Sequence, residues 1–503
     1  MLITVHQNLN LRFHRGSVRH RLRLSATLAL AAIAALTSAA FAVDGGWEYQ
    51  PYRIQAMLAI DAPGGLAKRL SVELPEYLAQ RVDASLAPVW IFDVQVAAGA
   101  ERAQVIDALE SQSSAKPANL PAGKDKLILL SVQWTPVGFE LAAREYDAYV
   151  ARWGTTIRRE CRQQSAVPEQ LFALAWQTFA PLAQFEVDAN DPKKITLRPR
   201  GGSLPRGSDA PPWFRPGDLF QPILRRTSRG GQPVENGIAV VPWTYVEATE
   251  GKDKKQIEFA VHSGSRQPFS ARRQGRTEQL AIGVRADAGP TTLHLYSRRS
   301  EKKPLVGYEV LLSGEGDDTT RIGVSDSKGD LQVSPGKSRV EMLFIKHGGQ
   351  LLGKLPVVPG AESLIKIPLP DDDARLLAEA RLAAVREDLI DVVARRNILM
   401  ARARQKIAKK DFTGAQDLLR TLDDLPGKPQ FSLTLTNSAR ALRSDDPQMQ
   451  RRIDQLFQAT QTLTTQFLDV RPISQLHNEL REAQNKPAEK TEKPPAAASD
   501  KPA

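Results

Sequence analysis

The sequence predicts a multidomain α+β chain: an N-terminal α/β sandwich, a small antiparallel β-barrel, a β-sandwich and a C-terminal helical region. Three observations carry this reading. Strand-like and helix-like stretches alternate up to residue 190, short strands then recur at close spacing, and from Asp371 the apolar period changes to three and four residues. The 503 residues are enough for three or four domains of common size.

The first unit, 43–190, opens with Ile54, Ala56, Leu58 and Ile60 on one strand face, and Trp90, Phe92, Val94 and Val96 form a second. Between them Leu74 to Leu86 reads as a helix with Leu78, Val82 and Leu86 on one side. A shorter helix follows from Glu101 to Leu109. Strands are expected at Leu127–Val132, Phe139–Tyr146 and Thr155–Cys161. Pro168 suits the first turn of another helix, whose face carries Leu171, Leu174, Ala175 and Phe179.

The second unit, 191–303, enters through a Gly/Pro/Arg-rich loop from Arg198 to Pro216. Strands are expected at Leu219–Leu224, Gly237–Val246, Gln256–Val261, Leu280–Val284 and Thr291–Tyr296, a spacing that suits a small antiparallel barrel.

The third unit, 304–370, carries Pro304-Leu305-Val306-Gly307-Tyr308-Glu309-Val310, then Ser325-Asp326-Ser327-Lys328-Gly329. A strand follows at Val340–Ile345, then Leu355-Pro356-Val357-Val358-Pro359-Gly360. This segment resembles the carboxypeptidase-regulatory-like, or transthyretin-like, β-sandwich of secreted bacterial proteins. The resemblance covers about seventy residues and implies a non-catalytic accessory sandwich.

From 371 to 484 the chain reads as helical. Ala378, Leu382, Val385, Leu389 and Val392 share one face. Ile407 to Leu422 looks like one helix-turn-helix of a tetratricopeptide-type repeat, with no second copy to cover it. Met449, Ile453, Leu456, Thr460, Leu463 and Phe467 keep a heptad step, open to dimerisation or to packing within the chain. The Lys/Pro/Ala-rich tail, 485–503, has too little apolar surface to order itself.

The first 42 residues read as a Sec signal peptide. Arg12, Arg15, Arg19, Arg21 and Arg23 precede an apolar run from Leu24 to Leu36, and Ala40-Phe41-Ala42 supplies a cleavage site that would leave Val43 first. That run is short for a bilayer core of about 30 Å, although an uncleaved anchor is the alternative. No later segment is apolar enough to span, so the expected locale is periplasmic or extracellular. Taken whole, the layout resembles multidomain exported proteins of planctomycete-type bacteria, a likeness that brings no catalytic residues with it.

Signatures of chemistry are sparse. Cys161 is the only cysteine, so no internal disulfide can form. After the leader only His262, His294, His347 and His477 remain, without metal-site spacing, though His262 and His294 fall in the same expected barrel. Gly336-Lys337-Ser338 ends like a phosphate-binding loop but lacks the upstream glycine, and reads as a turn. No metal, cofactor or catalytic residue is expected. The alternative is a hydrolase-type enzyme whose N-terminal domain unites carboxylates such as Asp93, Glu140 and Glu145.

Charge gives the functional slant. The net charge is +11, and residues 193–303 hold twenty-one Lys and Arg against ten Asp and Glu. Three clusters stand out: Arg225, Arg226 and Arg229; Arg266, Arg272, Arg273 and Arg276; and Arg298 and Arg299 with Lys302 and Lys303. Such a surface suits an envelope protein or an anionic polymer, or it serves only to keep the protein in solution. Export would make nucleic acid an unexpected partner. The expected role is an exported, non-catalytic binding and scaffold protein of the cell envelope.

Overall fold

The computed structural model describes residues 46–485, apart from 112–114, 118–119, 189–190, 192–193, 208–209, 230–232, 252–256, 270–275 and 314–317. The expected leader, all but the first residue of the expected tail, and Arg272 and Arg273 lie outside the described residues. Among the described residues no helix is long and apolar enough to cross a membrane.

The first sheet is built from β1 (Tyr52–Asp61), α1 (Gly64–Ser85), β2 (Trp90–Ala97), α2 (Gly99–Glu110), β3 (Lys126–Thr135), β4 (Gly138–Asp147), β5 (Arg152–Trp153), β6 (Ile157–Cys161) and α3 (Val167–Thr178). Its strand order is β2-β1-β3-β4-β5, with β6 also on β4. The strands β1, β2 and β3 run parallel because helical crossovers join them, and β4 turns back antiparallel through a tight hairpin. Along β1 the side chains alternate between two cores. Ile54, Leu58 and Ile60 meet α1 and α3, whereas Met57 and Ala59 meet α2. Burial on both faces explains why β1 reads as an almost continuous apolar run. Helix α1 starts ten residues before the expected Leu74 and continues through Pro75. Leu70, Leu74, Leu78 and Val82 hold it down, each burial contributing about 1.5–3 kcal/mol.

The second sheet contains β7 (Leu182–Val187), β8 (Ile195–Pro199), β9 (Leu219–Thr227), β10 (Pro233–Val240), β11 (Thr244–Glu250), β12 (Ile257–Ser263) and β13 (Arg276–Val284). All pairings are antiparallel, in the order β12-β11-β9-β13-β7-β8 with β10 added to β9. The two ends approach, so the sheet is a nearly closed barrel around Phe185, Leu197, Phe220 and Val246. Its outer face shares a core with the first unit, through Leu182, Ile223, Leu280 and Ile282.

Next come β14 (Thr291–Ser297), β15 (Ser300–Pro304), β16 (Glu309–Ser313), β17 (Thr319–Val324), β18 (Asp330–Val333), β19 (Glu341–His347), β20 (Gln350–Val357) and β21 (Leu364–Leu369). They form two four-stranded sheets, β15-β14-β18 with β21 on β14, and β17-β16-β19-β20. Leu293, Leu295 and Ile367 of one sheet pack on Val310, Leu343 and Ile345 of the other. Thr291–Ser297, expected in the barrel, therefore belongs here. Its alternate residues Leu293 and Leu295 face this core, and its hydrogen-bonding partners β18 and β21 lie downstream in the chain. Leu182–Val187 moves the other way, out of the first unit and onto the barrel through β13.

The helical region holds α4 (Asp373–Ala408), α5 (Phe412–Asp423), α6 (Lys428–Ala441), α7 (Pro447–Phe467) and α8 (Arg471–Asn485). The first half of α4 packs on Phe431 and Leu435 of α6 and on Ile453 and Phe457 of α7. Its last turns carry Ala403, which packs with Leu419 of α5 and Leu476 of α8. The hairpin expected to lack a cover is thus covered by α8, and the heptad face of α7 packs within the chain through Ile453, Leu456 and Leu463, while Phe467 at its end stays exposed.

Charged joints fix these units to one another. Lys126 is fully buried and opens β3 opposite Asp147. Its Nζ donates to Glu145 Oε1 at 2.5 Å, to Asp147 Oδ2 at 2.7 Å and to the Ala180 carbonyl at 2.8 Å. Burial works against the ammonium, but the two carboxylates overcome it and hold the Lys126 pKa above its ordinary value. At the other end of the chain, Arg298 donates to Asp446 and Gln448 of the helical region. Asp446 also caps α7, accepting from the backbone N–H groups of Gln448 and Met449.

Two predictions follow from these joints. Lys126→Met leaves two buried carboxylates without their cation and should lower stability by about 3–5 kcal/mol in urea denaturation of the whole chain, and a loss below about 1 kcal/mol would contradict it. Asp446→Ala should cost about 1–2 kcal/mol, and Asp446→Asn, which keeps the capping acceptor, less. The Arg298 guanidinium holds the Asp446 carboxyl below its ordinary pKa, so this stabilisation is complete at neutral pH and is lost as acid protonates the carboxyl through that depressed value. Melting curves of the Ala variant and the native chain should therefore converge in acid; a constant gap would refute the coupling.

Candidate anion-binding cleft

The basic clusters are dispersed by the fold. Arg225 on β9 faces the first unit, where its guanidinium lies 3.9 Å from the Tyr149 ring centre and donates to Glu278 at 2.8 Å. Arg226, one residue on, is exposed on the opposite side, because successive strand residues face opposite ways. Arg229 and Arg276 are exposed near the same end of the β9–β13 ladder, and Arg276 donates to the Arg229 carbonyl. Arg266 is exposed in the segment after β12. Arg298 is tied to α7, and Arg299 is exposed between β14 and β15. Arg225 and Arg298 are thus joints of the fold.

The carboxylates of the enzyme alternative are equally separated. Asp93 pairs with Lys124, and Glu140 with Arg158 at 2.8 Å. Burial lifts the Glu145 carboxyl to about 6, but this group is closed off from solvent and bonded to Lys126 and the Ala180 N–H. His262 pairs with Glu247 in the barrel and His294 with Asp330 in the sandwich, so these two histidines sit in different sheets. Among the described residues no group of three or more His, Cys, Asp or Glu side chains is placed to hold a metal.

A different set of arginines does converge. The first sheet, the barrel and the sandwich meet around a cleft of about 800 Å³. Its walls are β6 and the end of α3, the segments 215–219 and 284–288 flanking the barrel, and the sandwich loops 335–339 and 358–359. Arg158, Arg159, Arg215, Arg285 and Arg339 line it, against Asp218 and Asp287.

Three of these guanidinium groups have a local reason for their position. Arg159 donates to the neutral side chains of Gln170 and Gln177 at 2.7 and 2.8 Å, so it is oriented without being neutralised. Arg285 follows β13 directly. Its Nε donates to the Phe179 carbonyl at 2.9 Å, and its nearest carboxylate, Asp218, stands 3.7 Å away. Arg339 reaches from the sandwich to the Gly217 carbonyl at 3.0 Å. Burial lowers the Arg285 pKa, and the nearby Arg339 and Arg215 lower it further while Asp218 and Glu145 oppose them. The cleft therefore gathers fixed positive charge with incomplete compensation, an arrangement suited to oxyanions.

Sequence reading missed these residues because 159, 215, 285 and 339 come from three units and never neighbour one another along the chain. The turn at Gly336-Lys337-Ser338 was visible, and Gly336 and Ser338 do line the cleft, but as a loop between strands.

No protein-family model and no curated protein matches the sequence. Among solved structures, the crystal structure of TolB from Acinetobacter baumannii is similar over 62% of this chain and 96% of its own, at 12% identity and a TM-score of 0.15. A likeness at that score carries no argument about fold or function.

Proposed function

We propose that the chain is an exported, non-catalytic binding and scaffold protein of the cell envelope that engages an anionic partner through the three-way cleft. The observation that carries this reading is the convergence of Arg159, Arg215, Arg285 and Arg339 on one concavity, with two aspartates in opposition. The surplus of basic residues over 193–303 would add a long-range attraction for the same partner. The basic leader, apolar run and Ala-Phe-Ala site support export, and the segment 304–370 supports an accessory, non-catalytic sandwich.

The full chain should be retained on immobilised dextran sulfate and not on neutral dextran, with retention weakening as salt is raised. Combined Arg215→Ser and Arg339→Ser should cut this affinity by about tenfold or more, whereas combined Arg226→Ser, Arg229→Ser and Arg276→Ser should change it by about twofold or less. The reverse ranking would return the site to the barrel surface and overturn the assignment. Export has its own measure: the protein recovered from the producing cell should begin at Val43, and recovery from the cytosol with Met1 in place would refute it.

A further inference from the structure

We propose that Arg215, Arg285 and Arg339 form a phosphoryl subsite at the centre of the cleft, built for a phosphate monoester dianion. This rests on the reading of the cleft as an anion site and goes further by naming the group bound. Arg158 is already paired with Glu140, and the other four guanidinium groups of the cleft, those of Arg159, Arg215, Arg285 and Arg339, stand against Asp218 and Asp287, leaving two positive charges for the ligand to balance. A phosphate monoester supplies about −1.5 to −2 near neutral pH, whereas a carboxylate or a phosphodiester supplies one negative charge.

Geometry supports the same class. Arg285 is held by the Phe179 carbonyl through Nε, which leaves the two Nη groups as donors. Its distance to Asp218, 3.7 Å, is beyond hydrogen-bond reach, so Asp218 tempers the charge without occupying those donors. Asp218 Oδ2 instead accepts from the Arg215 backbone N–H at 2.8 Å and so holds the turn that carries Arg215. Arg339 keeps one Nη1 bond to Gly217 on that turn and brings its charge from the sandwich side. The Arg285 and Arg339 forks, each fixed by a carbonyl, lose little freedom on binding, and a tetrahedral phosphoryl group can accept from several guanidinium groups together. Arg159, oriented by two glutamines, stands in the same cleft for a further oxygen or for the group that carries the phosphate.

Titration calorimetry on the full chain separates the outcomes. Inorganic phosphate and glucose 1-phosphate should both bind, and vesicles containing phosphatidic acid should retain the chain if the source is a lipid headgroup. Phosphatidylglycerol vesicles, a diester, and tetragalacturonate, a carboxylate oligomer, should bind about tenfold or more weakly. Arg339→Ser and Arg215→Ser, both at exposed positions, should each weaken phosphate binding by about tenfold without lowering the melting temperature. Arg285→Lys keeps the charge but loses the fork, and should also weaken it. Binding of glucose 1-phosphate should fall as pH drops through about 6, where the second proton of a phosphate monoester returns, a dependence that a merely structural role for these arginines would not produce. Equal binding of the diester or the carboxylate, or unchanged binding in all three variants, would overturn the phosphoryl assignment. If dextran sulfate is retained while phosphate is not, only this inference fails; if neither is bound, the anion-binding reading fails with it.

Discussion

The arrangement turns on one buried ammonium. Lys126 opens a strand of the first sheet, yet one of its three acceptors is the Ala180 carbonyl in the connection that leads to the barrel. Glu145 repeats the link, since its second oxygen accepts from the Ala180 N–H. Tyr52 closes the same joint: its hydroxyl accepts from the Leu182 N–H at 2.9 Å and lies 3.1 Å from the Leu182 carbonyl. A charge removed from water is costly unless every partner is in place, so the joint tolerates one geometry and penalises others. The position of β7 follows from it, and through β13 so does the position of Arg285, whose side chain returns to Phe179 on the same connection. The cleft is thus held in place by an ion cluster that forms no part of it.

Much of the fold was legible where local pattern and burial agree. β1 is apolar on both faces, α3 begins at a proline suited to its first turn, and α7 repeats every seven residues; each shows in the chain what it meets in space. Partner choice was not legible. Thr291–Ser297 alternates as a barrel strand would, and its membership in the sandwich depends on strands β18 and β21 that follow later. Lys126 at the head of Lys126-Leu127-Ile128-Leu129-Leu130 looks like a solvated strand end, because the carboxylates that bury it come from the next strand.

The arginines show why density along the chain is a poor guide to density in space. Two neighbours on a strand face opposite ways, so Arg225 and Arg226 share a sequence cluster and no surface. Counter-ions then remove others from the account: Glu278 holds Arg225, and Asp446 holds Arg298. What remains available is decided by which loops the units bring together, and that gathered residues from β6, the barrel entry, the end of β13 and the sandwich. The excess of positive charge was readable from composition, but its focus was not.

Helix α4 has a consequence of its own. At 36 residues it is a rod of about 54 Å, and it belongs to two apolar clusters in succession. Neither cluster can come apart without leaving part of the same helix bare, so the five helices should melt together as one cooperative block. Its first turn is riveted to the sandwich, where Arg375 clasps Asp372 and the His347 carbonyl. Any force applied at the far end of the rod is therefore delivered to the sandwich with little loss along the way.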